Sequence, residues 1–160
     1  MQRNQTSTFF LIISLTVLSY GSSSAQSSQE KTELAEARAA IAQSNAIYFQ
    51  AFSKGDSSVF IDRYARDCSI LAPDMPALSG SDGALTFWRI AYYKIGLRNG
   101  KFITGQVYGD GKQYVTEEGL WQSFDAEGHL FDNGKFLVLW KKTPDGWKMF
   151  RDSFSSDRGK

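Results

Sequence analysis

The sequence predicts an α+β domain in which three N-terminal helices pack on one face of a curved, mostly antiparallel sheet. Apolar residues in the first half recur at helical spacing, with Leu34, Ile41, Tyr48 and Phe52 on one stripe. After Gly96 the character changes to four strand-like segments, residues 97–108, 113–124, 134–142 and 147–153. Between them stand Gly109-Asp110-Gly111, Asp125-Ala126-Glu127-Gly128 and Pro144-Asp145-Gly146, turn sequences short enough to make antiparallel neighbours. Helices first and a strand meander last is an α+β arrangement.

Each element has a local reason. Residues 1–25 read as a secretory signal peptide: Arg3 is the only charge, residues 8–20 are mostly apolar, and small residues follow. Ser23 and Ala25 occupy the −3 and −1 positions of a cleavage site before Gln26. No Cys follows the apolar run, which excludes attachment to lipid at that point. The domain proper is then residues 26–160, exported to the periplasm or secreted. Ser27 and Glu30 form a capping box for a long helix, residues 29–54, which Gly55 stops. Asp56 or Ser57 caps a short second helix that carries Val59, Phe60 and Tyr64 on one face. Residues 68–71 are a brief apolar run, broken by Pro73 and Pro76; with Ala77 and Leu78 they make an irregular hairpin. Ser81 caps the third helix, whose stripe is Leu85, Trp88, Tyr92 and Ile95 and whose stop is Gly96.

Composition narrows the function classes. The 160 residues carry 18 Lys and Arg against 17 Asp and Glu. So even a balance argues against nucleic acid, whose binding needs a basic excess, and against an electrostatic membrane anchor. No segment approaches the ~20 apolar residues of a membrane-spanning helix. Cys68 is the only cysteine, so no internal disulfide is available and packing must hold the domain. Four Trp, seven Tyr and twelve Phe exceed what a small core requires and point to an aromatic-lined cavity or an apolar interface. Gly105–Lys112 superficially suggests a phosphate loop, but the glycine spacing is five residues and no helix follows, so it is a hairpin turn. His129 lies beside a turn without the partners a zinc site needs, and Cys68 sits in an apolar strand as an inert thiol. No metal and no cofactor are expected.

Two runs carry a resemblance. The first is Tyr48-Phe49-Gln50-Ala51-Phe52-Ser53-Lys54-Gly55-Asp56, continuing to Tyr64-Ala65-Arg66-Asp67. The second is Trp140-Lys141-Lys142-Thr143-Pro144-Asp145-Gly146-Trp147, ending at Asp152. Together the chain resembles the nuclear-transport-factor-2-like superfamily, in the branch of SnoaL-like and ketosteroid-isomerase-like domains, many of unknown function. The resemblance implies a cone in which three helices and a bent sheet enclose a pocket. In ketosteroid isomerases of this fold a Tyr seven residues before the Gly of Gly-Asp helps hold the substrate oxyanion, and Tyr48 stands there. The base Asp of those enzymes, eight residues after the Tyr of Tyr-Ala-x-Asp, falls here on Ala72, which takes no proton. Their protonated acid falls near Leu137 or Val138.

Read from the residues themselves, Glu118 and Asp152 are carboxylates within apolar or aromatic strands. Facing a closed pocket, either becomes a general acid or base through desolvation; facing outward, either is merely solvated. Arg151 and Asp152 alternate in direction, so only one faces inward. Tyr48 lies on the core-facing stripe and either donates into a pocket or packs. The candidate catalytic residues are therefore Tyr48, Asp152 and Glu118, with Phe52, Tyr64, Trp88, Tyr92 and Phe150 as pocket lining. The expectation is an exported protein binding a small apolar or aromatic molecule, with a cofactor-free isomerase or lyase activity left open by Ala72. The alternatives are a non-catalytic carrier or sensor and a dimeric interaction domain. A homodimer is expected, because residues 136–140 are apolar on both faces and nothing further in the chain covers the second.

Overall fold

The computed structural model describes residues 20–158. Of the leader expected over residues 1–25, residues 1–19 lie outside this part. Helix α1 (Tyr20–Tyr48) turns Ala37, Ile41, Ser44 and Tyr48 into the core, the spacing of one helical face. It starts upstream of Ser27, so the expected capping box lies within the helix, and Glu30 instead accepts from Lys112 Nζ at 3.1 Å.

The expected single helix to Lys54 is two. It breaks at Phe49, and α2 (Gln50–Ser53) follows. In an unbroken helix neighbouring side chains diverge by about 100°; the break lets Tyr48 and Phe49 both bury their rings. Gly100 accommodates this, because a Cβ there would overlap the Phe49 ring. Helix α3 (Ser57–Ile61) is capped by Asp56, whose Oδ1 accepts from the Ser58 amide at 2.9 Å. Strands β1 (Tyr64–Leu71) and β2 (Leu78–Ser79) form the irregular hairpin.

Helix α4 (Gly80–Arg89) begins at Gly80 rather than after Ser81 and runs into a π-helical turn, Ile90–Ile95, closed by Gly96 at φ 86°. The wider turn shifts the phase of the side chains. Gly83, Ala84, Phe87, Trp88 and Ala91 are buried, whereas Ile95, expected on the buried stripe, is 53% exposed.

The remaining strands are β3 (Asn99–Gly109), β4 (Tyr114–Phe124), β5 (Leu130–Thr143) and β6 (Gly146–Ser156). The sheet order is β2-β1-β6-β5-β4-β3, antiparallel throughout except for the parallel pair β1–β6. Bulges in β3–β4 and β5–β6 bend the sheet around the helices. Gly134 lets β5 and β6 close up, since a Cβ there would overlap the Ser155 carbonyl oxygen. The result is the α+β layout expected, helices on the concave face of a curved, mostly antiparallel sheet. Among the described residues no helix is long and apolar enough to cross a membrane.

Candidate functional site

The concave face leaves a cavity of about 160 Å³, open on one side, between the end of α1, the α4 region and the inner strands. Its volume matches that of an engineered apolar cavity, about 150 Å³, known to bind benzene. Phe49, Phe102 and Phe136 form one wall, with Phe102 and Phe136 edge to face at 5.1 Å between centroids. Trp121, Phe154 and Phe87 form another, each contact T-shaped at 5.8 Å. Exposed Pro73 and Ile95 border the opening. Of the hydrogen-bonding side chains that line the cavity, Trp121 is committed to the Ser155 carbonyl at 3.2 Å, and the others are Tyr48, Ser123, Asp132 and Asp152.

Three residues from three elements meet at the cavity wall and behind it. Tyr48 closes α1, Tyr64 opens β1, and Asp152 lies in β6 opposite Val138 of β5 and Ile70 of β1. Tyr64 donates its hydroxyl to Asp152 Oδ2 at 2.6 Å. With that proton committed, Tyr48 is the donor in the 3.4 Å contact between the two phenols. This is longer than a well-formed O–H···O bond, so the Tyr48 hydroxyl retains donor capacity toward the cavity. Asp152 is only 6% exposed, and among the described residues no Lys, Arg or His pairs with it. Burial pushes its carboxyl up to about 6, the Tyr64 hydrogen bond pulls down, and the Glu117 carboxylate pushes up again. Burial and then the charge of Asp152 hold both phenols well above the ordinary tyrosine range, so they stay protonated donors at neutral pH. A carboxyl titrating near 6 can accept a proton and return it at physiological pH.

Glu118 is exposed on the outer face, opposite Leu137, and does not reach the cavity. Asp152 faces inward and Arg151 outward, its guanidinium 3.6 Å from the Phe150 ring centre. Phe150 does not share the face of Asp152. Between Trp140↔Met149 and Leu139↔Arg151 it is the extra residue of the β5–β6 bulge, which resets the inside-outside alternation. Phe150 therefore packs with Tyr114 at 5.8 Å, away from the cavity, and Met149 is buried in its stead. Phe52 and Trp88 are core residues behind the cavity wall, stacked at 6.3 Å, and Tyr92 stacks on Trp88 at 4.8 Å. Tyr64 stands behind Asp152 as its donor and does not line the cavity. Cys68 is buried in β1, its thiol pushed up by burial. His129 is exposed, and its turn brings Asp125 and Glu127 within 4.8 Å of it. Those neighbours were not expected, but Asp125 Oδ1 already caps the amides of Glu127 and His129.

Three functional groups escaped the sequence reading. Glu117, fully buried, accepts from Asn45 at 2.7 Å, Thr104 at 2.6 Å and Trp140 at 3.0 Å, and burial raises its carboxyl. The signal was strand parity, since Val115, Glu117, Gly119 and Trp121 share one face while Glu118 shares the other with Leu120. Ser123 continues the inner face, and Asp132 lies directly opposite it on β5. No sequence pattern distinguishes either from an ordinary surface residue.

No family profile matches this chain, and no curated protein does. Solved structures do. A nuclear-transport-factor-2-like protein with a cystatin-like fold from Novosphingobium aromaticivorans matches 82% of this chain and 89% of its own, with a TM-score of 0.67 and 15% identity. A ketosteroid isomerase-like protein from Erwinia carotovora atroseptica matches 79% of this chain and 98% of its own, with a TM-score of 0.62 and 20% identity. A protein from Catenulispora acidiphila, solved in complex with S-DNPA, matches 77% of this chain and 95% of its own, with a TM-score of 0.61 and 13% identity. The chain thus has the nuclear-transport-factor-2-like fold that its motifs resemble.

Proposed function

We propose that this is an exported pocket protein that binds a small apolar or aromatic carbonyl compound and moves a proton on it, as a cofactor-free isomerase or lyase. The observation that carries the reading is Asp152, a buried carboxylate with no cation beside it among the described residues, in an aromatic cavity next to a phenol donor. Such a group costs stability and is retained where it does chemistry. Asp152 takes the proton from a carbon next to the ligand carbonyl, and the C–H electron pair moves into the carbonyl as an enolate. Tyr48 donates to that oxygen, where charge develops. The proton then returns from Asp152 to another carbon, or a leaving group departs from the β-carbon. Ala72 lines the same cavity, so Asp152 supplies from β6 the base absent at that position.

The test is exchange of α-hydrogens of ring-sized cyclic ketones in D₂O, followed by NMR. Catalysed exchange is expected for the native protein, with a loss of at least about 100-fold in Asp152→Asn, the lower range for a general base. Binding without exchange, unchanged in the variant, would favour a carrier. The aromatic walls support that second reading.

Export is supported by the order of charge, apolar run and small residues in 1–25. Cleavage after Ala25 also places Ser27 and Glu30 in the first turn of a shortened α1, where a capping box functions. N-terminal sequencing of the mature protein tests it; retention of residues 1–25 overturns it. Homodimerisation through the outer sheet face is supported by Ile103, Leu120 and Leu137, which are 43%, 49% and 47% exposed. Ile103 lies directly opposite Leu120, with Leu137 on the next strand. Isolated surface leucines are ordinary, but apolar residues clustered on one sheet face support an interface.

A further inference from the structure

The cavity has a second polar end. Asp132 sits on β5 six residues before Val138, the residue opposite Asp152. Six strand residues span ~20 Å when extended, a distance shortened by the inward reach of the side chains. Aromatic rings occupy the space between. At this far end Ser123 is only 6% exposed, and its hydroxyl makes no hydrogen bond within the described part of the protein. Its oxygen opens onto the cavity and is free to bond with a group that enters there. Asp132, directly opposite, is held in place. Its Oδ1 accepts from the Asn133 amide at 2.8 Å and from Ser156 Oγ at 2.7 Å, while Oδ2 accepts nothing from the described residues. Among the described residues the cavity lining contains two carboxylates and no Lys, Arg or His.

We infer that Ser123 and Asp132 form a distal subsite that receives a hydroxyl or protonated amine on an elongated, otherwise apolar ligand, and that the site selects against anionic ligands. The inference rests on the reading of the cavity as the ligand site, with the ring-sized carbonyl end of the ligand beside Tyr48 and Asp152. The apolar middle lies among Phe102, Trp121, Phe136 and Phe154. A hydroxyl at the far end donates to Asp132 Oδ2 and accepts from Ser123 Oγ, whereas a protonated amine donates to both oxygens. A carboxylate there meets Asp132 with like charge and finds no cation to offset it.

The experiment uses four 4-arylcyclohexanones that differ only at the para position of the aryl ring: methyl, hydroxymethyl, aminomethyl and carboxylate. Binding is measured by calorimetry, and exchange of the ring α-hydrogens by NMR. The aminomethyl and hydroxymethyl compounds are expected to bind about tenfold tighter than the methyl compound, as a hydrogen bond to a charged acceptor implies. The carboxylate is expected to bind weakest. Asp132→Asn should remove the aminomethyl advantage and narrow the carboxylate penalty, and Ser123→Ala should reduce the hydroxymethyl advantage. The readout in each variant is the ratio of affinities among the four compounds, and circular dichroism with the urea midpoint checks that the variants are folded. Equal affinity across the four in the native protein, preferences that survive both variants, or no binding by any compound would each overturn the distal subsite. Failure of the proton-transfer reading is distinguishable, because it abolishes exchange while leaving the distal preference intact.

Discussion

Replacing Asp152 by Asn should make the protein more stable at neutral pH while disabling the site. The Asp152 carboxyl stands at about 6 in the fold against an ordinary value of 3.8. A difference of about two pH units corresponds to about 3 kcal/mol between its protonation states. The sign follows from proton binding. Between pH 3.8 and about 6 the folded protein holds a proton that the unfolded chain has released, so stability falls as pH rises through this window. The native protein therefore keeps this contribution in full below pH 3.8 and has lost it above pH 7. Asn cannot ionise, and its carbonyl oxygen still accepts from Tyr64, so the variant escapes the loss. Urea unfolding of both proteins at fixed concentration from pH 3.5 to 8 should give nearly equal stabilities at the acid end. The variant should lead by about 3 kcal/mol at the alkaline end, with the divergence centred between pH 4 and 6. Parallel profiles, or a native protein that gains on the variant as pH rises, would refute the picture of a desolvated, unneutralised carboxylate. A more stable but inactive variant is the expected signature of a group retained for function.

Other consequences are sharp enough to measure. Glu117→Gln keeps one acceptor oxygen but sets an amide donor against either the Trp140 N–H or the Asn45 and Thr104 donors, and should cost roughly 1–3 kcal/mol by denaturant unfolding. Gly134→Ala forces a Cβ onto the Ser155 carbonyl and should cost on the order of 3 kcal/mol, the upper range for overpacking; an unchanged unfolding midpoint would contradict the tight β5–β6 approach. Leu137→Lys together with Leu120→Lys should convert a dimer to a monomer in sedimentation at micromolar concentration without lowering monomer stability by more than ~1 kcal/mol, as expected at exposed positions.

The α+β class, the order of the elements and the hairpin turns were legible in the sequence, because they depend on local patterns. Helical spacing up to Gly96, turn residues after it and the Asp56 cap act within a few residues of themselves. Tyr48 was legible too, as an amphipathic residue on the inner stripe. The sides of the strands were not. Whether Glu117 or Glu118 enters the core depends on which parity of β4 meets the helices. Whether Phe150 accompanies Asp152 depends on one extra residue in a bulge, which forms only when β5 and β6 pair. The split of the first helix at Phe49 and the π-helical turn that turns Ile95 out are likewise answers to packing, set by rings and strands far away in the chain. A pocket residue is defined by what lies around it, and Ser123, Asp132 and Asp152 line one cavity only because sheet register brings distant segments to one concave surface. Local sequence specifies the elements; long-range pairing decides which of their faces become a site.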